Sequence, residues 1–120
     1  MSKSSVVHTS EILVKVGLDK EKVPVHIEWE ADEGQTKAVR HDGKAMMLAF
    51  FEKDTRETMK IDLWTKEMQI IEMDRFIYQT LRAMADTYFR ATQNQKLATE
   101  MQRFVQYFGE ETEVIPKSSN

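Results

Sequence analysis

Residues 58–91 read TMKIDLWTKEMQIIEMDRFIYQTLRAMADTYFRA, and within this stretch the apolar period changes from two to about 3.6 residues. Met59, Ile61 and Leu63 alternate with Thr58, Lys60, Asp62 and Trp64, as in a strand with two unlike faces. After Trp64 the pattern becomes helical. Met73, Ile77, Thr80, Leu81, Met84, Tyr88 and Ala91 trace one stripe that Phe76 and Phe89 widen, which predicts a helix of five turns or more. Asp86 and Arg90 lie at (i, i+4) in the favourable order, worth about 0.2–0.5 kcal/mol. A strand that gives way to a long helix predicts an α+β chain with its sheet in the N-terminal half.

On the N-terminal side the alternation recurs. Ile12, Val14, Val16 and Leu18 share one face of a first strand, and Val23, Val25, Ile27 and Trp29 one face of a second. Pro24 cannot donate to a ladder, so the second strand starts there or lies at a sheet edge at that point. Residues 31–44 hold Gly34 and Asp42-Gly43, both turn signals, and little apolar content, which predicts a long loop. A third strand spans 44–53, apolar on both sides: Met46, Leu48 and Phe50 on one, Met47, Ala49 and Phe51 on the other. Asp54-Thr55-Arg56 reads as a hairpin loop into the strand quoted above.

On the C-terminal side Leu97, Met101, Phe104, Val105 and Phe108 mark a shorter helix, with Asn94 as N-cap and Gly109 as its stop. The expected architecture is a four-stranded antiparallel sheet followed by two amphipathic helices packed on one of its faces. Residues 1–9 read as a flexible leader, 10–110 as one domain and 111–120 as a flexible tail.

The chain of 120 residues is 41% hydrophobic and 31% charged, ordinary for one folded core. A net charge of −3 and the lack of any long basic run argue against nucleic acid. Phe50, Phe51, Lys53, Arg56, Lys60 and Trp64 together suggest a stacking surface for single strands, but Glu52, Asp54, Glu57 and Asp62 lie among them. The eight methionines suit adaptable contact surfaces. There is no secretion h-region and no stretch long enough to span a membrane, so a cytoplasmic location, free or peripheral, is the simplest expectation.

Catalytic groupings are missing from the pattern. With no cysteine, thiol nucleophiles and thiolate metal sites are excluded. His8, His26 and His41 form no metal-ligand spacing, and His26 with Glu28 and Glu30 reads as a solvated strand face. Every serine lies near a terminus, and four glycines build no phosphate loop, so no cofactor and no enzymatic activity are expected. What stands out is the outer face of the third strand. Met47 and Phe51, with Trp64 beside them, form an apolar patch of the kind that marks an interface, unless the 31–43 loop covers it.

Lys44-Ala45-Met46-Met47-Leu48, the string IDLWTK at 61–66, and Met84-Ala85-Asp86-Thr87-Tyr88 with Arg90-Ala91-Thr92 resemble the gliding-motility-associated GldC family of Bacteroidetes. The resemblance runs over roughly residues 10–110. It implies a non-catalytic accessory of gliding motility and the associated type IX secretion machinery, with the gliding lipoprotein GldB as a partner and a place at the inner face of the cytoplasmic membrane. Trp64 and Asp86 are the matched residues singled out with Met47 and Phe51 as an interaction surface. The order of strands then helices is also similar to that of SecB-like export chaperones, which implies, by fold analogy alone, holding of unfolded clients. Self-pairing of the third strand's outer face into a homo-oligomer stays open beside both.

Overall fold

The computed structural model describes residues 4–33 and 36–118. Five strands precede two helices: β1 Ile12–Leu18, β2 Pro24–Glu33, β3 Thr36–Gly43, β4 Ala45–Phe51, β5 Thr58–Trp64, α1 Ile70–Thr92 and α2 Gln95–Glu111. The chain forms two compact units, one ending at Met68 and the other starting at Gln69.

The α+β class holds, but the strands form a three-stranded sheet, β1-β2-β3, and a two-stranded sheet, β4-β5, in place of one four-stranded sheet. The expected loop over 31–44 is overturned. Its residues complete β2 and supply β3, with Gly34 and Gln35 outside the described residues. β3 escapes the period-two test because its residues are mostly polar or small, and its place depends on β2. Ala31 pairs with Val39, Glu30 with Arg40, Trp29 with His41 and Ile27 with Gly43. Gly43 reads as a turn signal in sequence, yet it sits in the ladder. A Cβ there would stand 3.1 Å from the Trp29 ring, so the bare backbone makes room for the indole.

Register gives the three-stranded sheet two unlike faces. Val14 and Val16 lie opposite Trp29 and Ile27, and Trp29 stacks on His41 with ring centroids 5.2 Å apart. Ile27, 1% exposed, is the centre of this apolar face. The other face carries Lys15, His26, Glu28, Arg40 and Asp42. β2 begins at Pro24, where the missing N–H does least harm. Asp19 closes the β1–β2 connection: its Oδ1 accepts from the N–H groups of Glu21 (2.8 Å) and Val23 (3.0 Å), and its Oδ2 pairs with Lys66 Nζ at 2.7 Å.

β3 runs into β4 through Lys44 alone, so one extended run leaves the first sheet and pairs with β5 in the second. The β4–β5 turn is tied by Glu52, whose carboxylate accepts from the N–H groups of Asp54 and Thr55. Those bonds hold the Glu52 carboxyl below its ordinary pKa.

In the helical unit Glu72 accepts from the Gln69 N–H (3.0 Å) at the start of α1, and Asn94 Oδ1 accepts from the Leu97 N–H (3.1 Å), which makes Asn94 the expected N-cap of α2. The buried seam runs through Ala85, Ala98, Val105 and Gly109. Of the expected stripes Val105 lies in this seam and Ile77, Leu81, Tyr88, Met101 and Phe108 are half-buried, whereas Met84, Leu97 and Phe104 remain exposed. Small side chains let two helix axes approach closely, so the tightest packing follows alanine and glycine and leaves larger residues beside it. Gly109 is not the stop of α2, which continues to Glu111. Its bare Cα receives the Tyr78 ring, and a Cβ there would lie 2.6 Å from Tyr78 Cε1. The chain turns at Glu113, with φ 63°, and Ile115 N–H returns to Gly109 O. Among the described residues no helix is long and apolar enough to cross a membrane.

Candidate functional site

The β4–β5 hairpin is built from a ladder in which Ala45 faces Trp64, Met47 faces Asp62, Ala49 faces Lys60 and Phe51 faces Thr58. Alternation therefore puts Met47, Phe51 and Trp64 on one face. All three are exposed, Phe51 at 69% and Trp64 at 56%. Lys60 and Asp62, ion-paired to each other, sit between the two aromatic ends. An apolar surface with one neutralised charge pair in it suits a protein partner, because desolvating it strands no lone charge.

The opposite face of the hairpin pairs Met46 with Leu63, Leu48 with Ile61 and Phe50 with Met59. Sequence patterning assigns this face to the core, yet Phe50 is 62% and Met59 64% exposed, and Ile61 is exposed too. Both faces of the hairpin thus carry accessible apolar side chains. Periodicity identifies which residues share a face and carries no information on what lies over it. Of the 31–43 segment that could have covered the hairpin, residues 31–33 belong to β2 and Thr36–Gly43 to β3, paired with each other in the first sheet.

Asp86 lies in the helical unit. Its carboxylate pairs with Arg90 Nε at 2.9 Å, and Arg90 also reaches Thr87 Oγ1 at 3.3 Å, so the two matched strings of the sequence meet in one exposed (i, i+4) bridge. Asp86 also lines an open groove of about 790 Å³ with Tyr78, Arg82, Gln102 and Gln106. The groove is floored by Ala85 and Val105, and its walls are amides and charges. Sequence spacing alone missed it, because its residues come from both helices and meet only across the seam.

On the polar face of the first sheet His26 Nε2 stands 3.7 Å from both Glu28 and Asp42, and Arg40 bridges Glu28 at 3.2 Å and Asp42 at 3.5 Å. Glu28 and Arg40 are diagonal cross-strand neighbours, and the one guanidinium is shared between the two carboxylates beside the imidazole. This is a surface charge network. Among the described residues no group of histidines and carboxylates is arranged to hold a metal ion.

Compared with known families, residues 24–114 match the model of a family described as gliding motility-associated protein GldC-like. The matched span runs from β2 through α2 and includes Met47, Phe51, Trp64 and Asp86. No curated protein and no solved structure matches the chain.

Proposed function

Because the chain belongs to the GldC-like family of gliding motility-associated proteins, we propose that it is a non-catalytic accessory that presents the Met47, Phe51 and Trp64 face to a protein of the motility apparatus. The process extends to the associated type IX secretion machinery. The gliding lipoprotein GldB is the partner to test first, and the site of action is the inner face of the cytoplasmic membrane. The exposure of both aromatic residues on one strand-paired face is the observation that carries this reading. Large aromatic anchors dominate binding energy, so Phe51→Ala or Trp64→Ala weakens partner capture by about 30-fold while leaving the fold intact. The test is affinity capture from a gliding bacterium, with Phe51→Asp as the disabled control. Recovery of no motility or secretion component, under conditions that recover known complexes, sinks the proposal.

A second reading, a SecB-like holdase, draws on the opposite hairpin face, where Phe50 and Met59 are also open. It expects suppression of aggregation of a chemically unfolded client, reduced in Phe50→Asp and in Met59→Asp. Wild-type protein that leaves client aggregation unchanged eliminates this reading and spares the first.

A further inference from the structure

We propose that β5 is an edge along which two copies of this chain pair, antiparallel and centred on Ile61. Among the described residues β5 is hydrogen-bonded to β4 and to no other strand, and of its seven residues only Leu63 is partly covered. No described strand pairs with its outer side.

The hydrogen bond from Thr65 N–H to Lys44 O, at 2.8 Å, fixes the direction of the backbone groups. Opposed residues of an antiparallel pair alternate between bonded and non-bonded, so Leu63, Ile61 and Met59 exchange bonds with β4. Thr58, Lys60, Asp62 and Trp64 then turn their N–H and C=O groups outward. These are the groups an added strand would meet.

The side chains choose the register. Three neighbouring registers keep the apolar face continuous across a two-fold axis. Centring on Lys60 sets that lysine against its own copy, and centring on Asp62 does the same for the aspartate. Centring on Ile61 sets Lys60 against Asp62 of the second copy, twice by symmetry, with Met59 beside Leu63 and Thr58 beside Trp64. Opposite charges directly across a ladder stabilise it and like charges weaken it, which leaves the Ile61 register. A lone two-stranded sheet is marginal in water. Pairing turns it into a four-stranded sheet, β4-β5-β5-β4, and brings Met47, Phe51 and Trp64 of both copies onto one face. This inference uses the edge of the hairpin, whereas the proposed function uses its face, so each can fail alone.

The chain contains no cysteine, which makes single-cysteine variants clean reporters. At the centre of the register the two Ile61 Cα atoms form a non-bonded pair about 4.5 Å apart, within disulfide range. Ile61→Cys therefore gives a covalent dimer as the main product of mild oxidation. In Met59→Cys the two positions stand roughly 14 Å apart, and that variant stays uncrosslinked. In sedimentation of the cysteine-free chain, Lys60→Asp weakens self-association by about tenfold or more, and Lys60→Asp combined with Asp62→Lys restores it. Three results overturn the proposal: wild-type protein that sediments as a monomer at about 100 μM, equal crosslinking of the two cysteine variants, or a double variant no better than the single. A monomer that still captures a motility component overturns the pairing and leaves the functional reading standing.

Discussion

Asp19 is fastened from three sides, by the Lys66 ammonium and by the N–H groups of Val23 and Glu21. The Lys66 hydrogen bond, the largest cause, and then the Val23 bond hold its carboxyl below the ordinary value of 3.8. A carboxylate whose folded pKa is depressed contributes stability above its unfolded pKa and loses it as pH falls through the folded value. Asp19→Asn keeps an oxygen for the turn and loses the charge that faces Lys66. Its Tm is expected to lie below that of wild type at pH 7, with the gap narrowing below about pH 4 and closing once pH passes the depressed value. Parallel thermal melts at neutral and acid pH check this, and a gap that persists in acid rules out the ion pair as its cause. Gly43 makes a different point at the same scale. In sequence it marks a turn, whereas in the fold it marks where the Trp29 indole of the paired strand β2 must fit.

Among the elements, the helical hairpin shows how local preference and packing compete. Glycine inside a helix costs about 1 kcal/mol relative to alanine, so Gly→Ala at an open helical site stabilises. At Gly109 the added methyl meets the Tyr78 ring at 2.6 Å and Ile115 Cγ1 at 2.9 Å, closer than side chains tolerate. The steric term exceeds the propensity term, and Gly109→Ala is expected to destabilise by about 1–3 kcal/mol in urea unfolding. Adding Tyr78→Leu should recover part of the loss by removing the ring. A Gly109→Ala variant more stable than wild type contradicts the close approach. β3 and β5 are the corresponding cases among the strands. β3 has no apolar period and exists through its partner, whereas β5 has a clean period and a free edge.

For the whole molecule, the outstanding property is the amount of large apolar side chain left accessible. Phe50, Phe51, Met59, Ile61 and Trp64 in the hairpin, and Met84, Leu97 and Phe104 in the helices, are all exposed. Scattered single residues of this kind are normal, but a hairpin with exposed large apolar side chains on both faces is the kind of surface on which the proposed contacts rest. The folded protein is expected to enhance the fluorescence of an apolar dye such as ANS in native buffer, and Phe50→Ser combined with Met59→Ser should reduce that signal without changing the far-UV spectrum. A native protein that leaves the dye dark has these faces covered. In the proposed pairing of two copies, apolar contact and strand addition supply the attraction, and Lys60 and Asp62 set the register.

The period change after Trp64 was enough to determine an α+β chain, and alternation alone put Met47 and Phe51 on one face, because side-chain direction within a strand depends only on parity, whereas Trp64 joins them through the register that sets it against Ala45. The Asn94 cap was equally local. The family could be read from the short strings around IDLWTK and MADTY, because a run of particular residues carries more information than spacing alone. Non-local features were decided only by the tertiary structure. These are the split into three and two strands, the strand at Thr36–Gly43 in place of a loop, and the burial of Ala85, Ala98 and Gly109 with Val105 in the helix seam while Met84, Leu97 and Phe104 stay exposed. Each depends on which backbone can approach which. A single-chain period records amphipathicity, and it cannot record the partner strand that rescues a polar segment or the ring that needs a glycine.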